Sequence, residues 1–142
     1  MKKLLLPVDG SENALRAVKF ALDQATAYSG QTEIHLLTVQ LPIVSGDVRM
    51  FVSEESIKNY YHDEGIKVLA SARAMLDAAG VHYIYHIGVG QIAETIAQYA
   101  EKEACDQIIL GSRGHSSIAG LLLGSVATKV MHLVNIPVCL IK

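Results

Sequence analysis

Tryptophan is absent from this sequence, and cysteine and proline are scarce: two cysteines and three prolines occur among 142 residues. Cys105 and Cys139 lie far apart and form no CxxC pair, so neither a disulfide framework nor a cysteine-based zinc or redox motif is indicated. We expect two buried, reduced thiols in a cytoplasmic protein. The uncharged stretch Gly114–Thr128 is too short and too polar to span a bilayer. The N-terminus enters a strand directly, so we expect neither a signal peptide nor a membrane partner.

An excess of positive charge is also missing. Lys and Arg number 12 against 14 Asp and Glu, for a formal net charge of −2. A protein that binds the phosphate backbone of DNA or RNA presents a basic face, so we expect no nucleic-acid partner. Hydrophobic residues make up 51% of the chain and charged residues 18%, which indicates a globular protein. The length fits one domain over residues 1–142.

Apolar strand-like segments alternate with segments of helical periodicity along the chain. The predicted strands are Lys3–Val8, Glu33–Val39, Val81–Ile87, Ile108–Leu110 and Pro137–Ile141. This alternation is typical of an α/β domain, and we expect an open parallel five-stranded sheet of order 3-2-1-4-5 with helices on both faces. The alternating third segment suits an edge strand. Leu41–Ser53 has little periodicity and is predicted to be a loop.

The stretch Ile108–Val130 combines a strand, a glycine turn, a connecting loop and a helix start. Gly111 and Gly114 follow the strand, and Gly124-Ser125 leads into the helix. Such a segment offers unhindered backbone N–H groups and a helix N-terminus to an anion, most plausibly a phosphate. In the predicted strand order the winding reverses between strands 1 and 4, which opens a crevice at their carboxyl ends. Asp9 ends the first of these strands, so two separate features converge on one predicted site.

The glycines form a pattern that reads Gly111-x2-Gly114-x9-Gly124-Ser125. The N-terminal strand ahead of it ends in Pro-Val-Asp-Gly-Ser at residues 7–11. Together these features resemble the ATP-binding branch of the universal stress protein family, and the resemblance covers Met1 to Lys142. It implies a fold of the adenine-nucleotide alpha-hydrolase type, ATP bound with Mg²⁺ in the crevice, a role in stress-response regulation, and a homodimer.

The resemblance also implies a set of nucleotide-contacting positions: Pro7, Val8, Asp9, Val39, Leu110, Gly111, Arg113, Gly114, Gly124, Ser125 and Val126. Asp9 is expected near the ribose or a metal-bound water, and Val39 against the adenine. The residues after strand 4 are expected to line the ribose and phosphates. The start of the last helix is expected to hold the phosphates.

Each of these residues also has an interpretation that involves no ligand. The glycines suit ordinary turns and an ordinary helix start. Asp9 could shape the turn with Ser11, a good helix N-cap. Arg113 could be a solvated loop cation or a phosphate clamp, and the sequence favours neither.

Two other motifs receive a weaker interpretation. Gly88–Ala93 reads GVGQIA and matches the loose dinucleotide pattern G-x-G-x-x-A, so an NADP-binding protein stays open, with Arg113 available for a 2′-phosphate. His82 and His86 share one strand face but lie about 13 Å apart, too far for one metal ion, so we expect partly exposed edge residues. A phospho-receiver needs an acid after strand 3, and an ordinary P-loop ATPase needs GxxxxGK[ST]; both are missing.

Hydrolysis of a γ-phosphoryl group needs a positioned water and charge stabilisation by Lys, Arg or Mg²⁺. The phosphate loop contains no lysine, and Asp9 is the one carboxylate clearly placed for a metal. We therefore expect a nucleotide-binding regulatory protein with slow or no hydrolysis; a nucleotide hydrolase or phosphotransferase and an empty scaffold are the alternatives. The apolar strand Pro137–Ile141 is expected to pair with its twin across a two-fold axis.

Overall fold

The computed structural model describes residues 1–27, 31–43, 46–115 and 122–142. Its helices and strands are β1 Lys2–Pro7, α1 Glu12–Ala27, β2 Thr32–Gln40, α2 Gly46–Phe51, α3 Glu54–Ala78, β3 Tyr83–Val89, α4 Ile92–Lys102, β4 Gln107–Gly111, α5 Ser125–Leu133 and β5 Val138–Ile141. None of the helices in these ranges is both long enough and apolar enough to cross a membrane.

The strands form one parallel sheet of order β3-β2-β1-β4-β5, which confirms the predicted topology and the edge position of β3. Leu4, Leu5 and Leu6 of β1 are all buried and face alternate sides of the sheet. Leu4 and Leu6 pack into a core with α1 and α3, whereas Leu5 packs into a second core with α4 and α5. Both faces are therefore covered, as the apolar strand segments predict.

The ends of α1 and α3 follow from local hydrogen bonds. Ala14 N donates to Ser11 Oγ at 3.2 Å, which confirms the predicted N-cap of α1. At the end of α3, Gly80 adopts a φ of +67° and Val81 N donates to Leu76 O at 3.2 Å, the pairing of a Schellman cap. Because Val81 closes the helix, the third strand runs from Tyr83 to Val89, two residues later than predicted at both ends.

The predicted loop Leu41–Ser53 is partly wrong, because it contains the two-turn helix α2. Residues 44 and 45 of this segment lie outside the described part of the chain. Met50 and Phe51 at the end of α2 are exposed by 80% and 86%, so the α2 residues whose burial the structure describes form no buried stripe that a periodicity search could detect. Ser53 caps the following helix by accepting a hydrogen bond from Ser56 N.

Candidate functional site

A cavity of about 280 Å³ opens between the carboxyl ends of β1 and β4. These two strands pair only at Leu4 with Gln107 and Leu5 with Ile108, so their later residues separate and leave the crevice. Every position in the predicted site lines this cavity. Further residues that were not predicted also line it, namely Ala14, Leu37, Ile92, Ile96, Ser112, His115 and Ala127. The structure thus brings the predicted residues together in one cavity. Their contact with a ligand stays a prediction.

One wall of the cavity is apolar. Leu37 and Val39 come from β2, and Ile92 and Ile96 come from the first turns of α4. Ile96 and Leu37 are almost completely buried, whereas Val39 and Ile92 are half-buried at the opening. A flat apolar group such as a nucleobase would fit against this wall. Helical spacing identifies Ile92 and Ile96 as inward-facing, but only the fold shows that they face a cavity.

The Asp9 carboxylate stands at the polar end of the cavity. Its Oδ1 accepts a hydrogen bond from Ser11 N at 2.9 Å, so Asp9 does shape the turn after β1. Its Oδ2 accepts a hydrogen bond from His115 N at 3.3 Å, which ties the β1 turn to the loop after β4. The side chain remains exposed, and the free lone pairs of both oxygens leave room for a ligand or a hydrated cation.

Gly111, which ends β4, and Gly114, three residues later, both lie in close contact with side chains of the protein. A Cβ atom at Gly111 would lie 2.7 Å from Asn13 Oδ1, and one at Gly114 would overlap Asp9 Oδ2. Asn13 is buried and joins three elements, because Nδ2 donates to Ile141 O at 2.9 Å while Oδ1 accepts from Arg113 N at 2.8 Å. Asn13 was not predicted as a positioning residue, since no motif in the sequence around it indicates this role.

Most backbone N–H groups after β4 are already engaged. Arg113 and His115 donate to the Asn13 and Asp9 side chains, as just described. Gly124 N donates to Ser112 O at 2.7 Å. These bonds correct the expectation that the amides of this segment are unhindered. Among the described amides at residues 112–115, the Gly114 N–H is the one with no protein acceptor. The connection at residues 116–121, which includes part of the predicted glycine stretch, lies outside the described residues.

The N-terminus of α5 supplies further free donors. The N-cap is Gly124, which has no side chain with which to cap the helix, and the first helical bond is Thr128 N to Gly124 O at 3.1 Å. The N–H groups of Ser125, Val126 and Ala127 therefore have no intrahelical acceptor. All three residues line the cavity. This end of α5 combines free donors with the positive end of the helix dipole, which suits an anion.

Ser112 adds an unexplained polar atom to the same cavity. The residue is 2% exposed, and its Oγ finds no hydrogen-bond partner among the described residues. A buried hydroxyl without a partner costs free energy, and native structures rarely tolerate one without a compensating ligand, ion or water. A polar ligand group that reaches this hydroxyl would remove the cost.

The charged side chains near the cavity are few. Arg113 is half-buried and lines it, and no ion pair of the described residues involves the Arg113 guanidinium. Lys129 of α5 pairs instead with Glu94, and this hydrogen bond holds the pKa of the Glu94 carboxyl below its usual value. Among the described Lys and Arg side chains that line the cavity, Arg113 is thus the one free to meet an anion.

The glycines of the Gly88–Ala93 pattern lie away from the crevice, although Ile92 of the same segment lines it. Gly88 belongs to β3 and Gly90 comes just after it, and β3 is the outer edge strand, two strands away from the opening between β1 and β4. In a dinucleotide-binding fold this pattern follows the strand beside the crevice. The geometry therefore gives no support to the NADP alternative.

Comparisons with known proteins agree with this architecture. The sequence model of the universal stress protein family matches residues 1–142. The universal stress protein MJ0531 of Methanocaldococcus jannaschii is 31% identical over 147 residues, covering 99% of this chain and 82% of its own. The solved structure of MJ0577 from the same organism is 33% identical, with a TM-score of 0.82 and coverage of 99% of this chain and 95% of that chain.

A universal stress protein solved in complex with cAMP is also similar. It is 26% identical, with a TM-score of 0.73, and the match covers 99% of this chain and 97% of that chain. The likeness in sequence and in fold extends over the whole chain, including both sides of the crevice. The chain described here therefore belongs to the universal stress protein family.

Proposed function

We propose that this protein binds ATP in the crevice between β1 and β4 and acts as a nucleotide-dependent regulatory protein. The observation that carries the proposal is that three features suited to a nucleotide meet in one cavity. These are the uncapped N-terminus of α5, the partnerless Ser112 hydroxyl and the apolar wall formed by β2 and α4. The relative solved with cAMP supports an adenine nucleotide as the ligand class.

The proposed orientation follows from the chemistry of the two ends of the cavity. The adenine packs against Val39 and Ile92 on the apolar wall. The phosphates lie at the free donors of Gly114 and the first turn of α5, with Arg113 as the cation beside them. The ribose then lies between these ends, within reach of the turn that contains Asp9.

Mg²⁺ fits this arrangement as a partner of the phosphates. Among the described residues that line the cavity, Asp9 is the one acidic side chain. Mg²⁺ keeps several waters and binds through one or two carboxylates together with phosphate oxygens, so one exposed carboxylate is sufficient. We propose that Asp9 holds the hydrated ion, which would neutralise phosphate charge.

Slow or absent hydrolysis is part of the proposal. Phosphoryl transfer relies on cations and a positioned nucleophile, and the cavity presents one arginine and one exposed carboxylate. A regulatory protein that reports bound ATP fits this composition better than a nucleotide hydrolase or phosphotransferase. Steady-state product release that Asp9→Ala abolishes while nucleotide stays bound would favour the enzyme instead.

Gly124→Glu tests the assignment of the phosphates. Gly124 has an extended backbone with a φ of −76°, and a Cβ atom there would meet its nearest neighbours at 3.4 Å, an ordinary contact. A Cβ atom is therefore accommodated at this position, and a carboxylate attached to it would occupy the space proposed for phosphate. Mass spectrometry of ligand released from freshly purified protein should find ATP in the wild type and none in Gly124→Glu.

Leu122→Glu is the matched control. It adds the same charge two residues earlier, at a side chain that is 73% exposed and does not line the cavity. This variant should keep the wild-type nucleotide content. Full occupancy in Gly124→Glu, or equal loss in both variants, would contradict the proposed phosphate site.

The proposal extends to a cytoplasmic homodimer that pairs through β5. This strand bonds to β4 on one side only and ends the order of the sheet, so its outer edge is open in the single chain. An exposed apolar edge strand is prone to pair with another strand, and a two-fold axis would cover it. Light scattering at tens of micromolar, an order of magnitude typical of stable association, should give a dimer; a monomeric mass would contradict this part of the proposal.

A further inference from the structure

A second cluster of polar side chains lies on the sheet face beneath α4. His35 of β2 is 2% exposed, and His86 of β3 sits diagonally across from it. Their rings are 5.2 Å apart between centroids and nearly parallel, and His35 Nδ1 lies 2.9 Å from His86 Nε2. His82, which shares a strand face with His86 in the sequence pattern, is exposed, whereas the half-buried His86 pairs with His35, which is distant in sequence.

The carboxylate of Glu33 determines how His35 presents its ring. Glu33 Oε1 lies 2.5 Å from His35 Nε2, and a carboxylate can only accept, so this nitrogen carries the proton. The other nitrogen, Nδ1, then has a free lone pair directed at His86. A carboxylate that orients a histidine in this way is the usual outer partner of a metal-ligating imidazole.

Glu103 supplies a third donor. Its carboxylate oxygen, His35 Nδ1 or Nε2 and a ring nitrogen of His86 all lie within 4.8 Å of one another. Glu103 follows the last turn of α4, and its side chain is half-buried. Two imidazoles and one carboxylate form a ligand set that binds zinc and similar divalent ions, with water in the fourth position.

The dimensions of the cluster are close to those that a metal ion needs. Two nitrogens at 2.0–2.1 Å from a tetrahedral zinc ion are about 3.3 Å apart. The distance between His35 Nδ1 and His86 Nε2 is 2.9 Å, so it must increase by roughly 0.4 Å for both atoms to bind one ion. The proton on His86 Nε2 would move to Nδ1 of the same ring, which leaves the charge of the ring unchanged. Tyr99 packs on His86 at 5.3 Å and limits the movement of that ring.

We propose that His35, His86 and Glu103 form a binding site for a divalent transition-metal ion of the zinc class, with Glu33 as the orienting outer carboxylate. The site is separate from the crevice, because none of its three ligand residues lines that cavity and Leu37, the next residue on the same face of β2, lies between His35 and the opening. It joins β2, β3 and the end of α4, so a bound ion would cross-link the open edge of the sheet to a helix.

Zinc titration against a chromophoric chelator tests the site, with protein first dialysed against a strong chelator in nucleotide-free buffer. The wild type should bind one equivalent of Zn²⁺. His86→Gln and Glu103→Gln should each weaken binding by at least about tenfold, the scale expected for loss of a ligand or its support. With Co²⁺ as the probe, the wild type should show the intense visible bands of a four-coordinate ion, and both variants should lose them.

His82→Gln is the control, because His82 is exposed, precedes β3 and lies outside the cluster. It should bind both ions as the wild type does. The proposal is overturned if wild-type protein takes up no zinc, or if His82→Gln loses as much affinity as the other variants. It is also overturned if His86→Gln and Glu103→Gln keep full affinity. Glu103 ends a helix, so Glu103→Gln keeps the test decisive even if His86→Gln fails to fold.

Discussion

Replacing Gly111 with alanine tests whether the first motif glycine is required by the fold itself, independently of any ligand. An ideal Cβ atom at Gly111 lies 2.7 Å from Asn13 Oδ1 and 3.2 Å from both Cγ and the backbone carbonyl carbon of Asn13. The first contact can be relieved by turning the asparagine side chain. The contact with backbone carbon cannot, so the start of α1 must also shift.

The expected loss of stability follows from the bonds that Asn13 makes. Turning its side chain breaks the bonds to Ile141 O and from Arg113 N, at 2.9 and 2.8 Å. Each bond contributes about 1 kcal/mol net, and a buried backbone group left without a partner costs about 1–3 kcal/mol. We therefore expect Gly111→Ala to lower the free energy of unfolding by about 2–4 kcal/mol. At about 3 °C per kcal/mol for a domain of this size, Tm falls by about 6–12 °C.

Urea unfolding of nucleotide-free protein measures the effect, and a double-mutant cycle with Asn13→Ala isolates its cause. Asn13→Ala alone loses the same two bonds, so adding Gly111→Ala to it should cost at least about 1 kcal/mol less than in the wild type. Gly46→Ala is the control, because no atom of the described residues lies within 4 Å of its added Cβ, and it should lose no stability. Additive effects of the two substitutions within about 0.5 kcal/mol would refute the reasoning.

The remaining predictions concern a hydroxyl, two thiols and a packed glycine. Ser112→Ala should not lower the stability of nucleotide-free protein, since it removes a buried hydroxyl that has no partner among the described residues. The same substitution should weaken ATP binding about fivefold, as measured by calorimetry. Unchanged affinity would show that no ligand reaches the hydroxyl. Burial raises the pKa of the Cys105 thiol to about 11, so at pH 8 only about 0.1% of this thiol is thiolate. A disulfide reagent should therefore label the half-buried Cys139 first. Faster labelling of the Cys139→Ser variant than of the Cys105→Ser variant would contradict this. Gly65→Ala should lower the free energy of unfolding by about 1–3 kcal/mol, because the added Cβ would lie 2.6 Å from Ile87 Cγ2. A denaturant midpoint equal to that of the wild type would show that Ile87 moves aside freely.

The two cysteines also show where the composition argument was incomplete. Cys105 is buried as expected, whereas Cys139 is only half-buried. Its strand, β5, has a neighbour on one side and an open edge on the other. A count of cysteines indicates a reduced state, but the exposure of each thiol depends on the position of its strand in the sheet.

The fold class and the location of the site could be predicted from local patterns. Continuous apolar strand segments with helical periodicity between them permit few parallel topologies, since crossovers are right-handed and strands covered on both faces must be central. The end of strand 1 at Asp9 and the end of strand 4 at Gly111 then meet at the point where the winding reverses. The helix α2 could not be predicted, because its described side chains are exposed, and the start of β3 could not be predicted because the cap that ends α3 decides it.

The contacts that distinguish this chain appear only in three dimensions. Asn13 lies against Gly111, and His35 lies against His86, in each case across a gap in sequence that no periodicity spans. Whether an amide is free also depends on tertiary structure, as Gly124 shows by donating to Ser112 O. Local patterns were enough to place the apolar strands and the inward faces of the long helices, because the tendency to be buried is a property of each side chain. Only the folded chain decided which polar groups find partners, because hydrogen bonds join groups that packing brings together from distant segments.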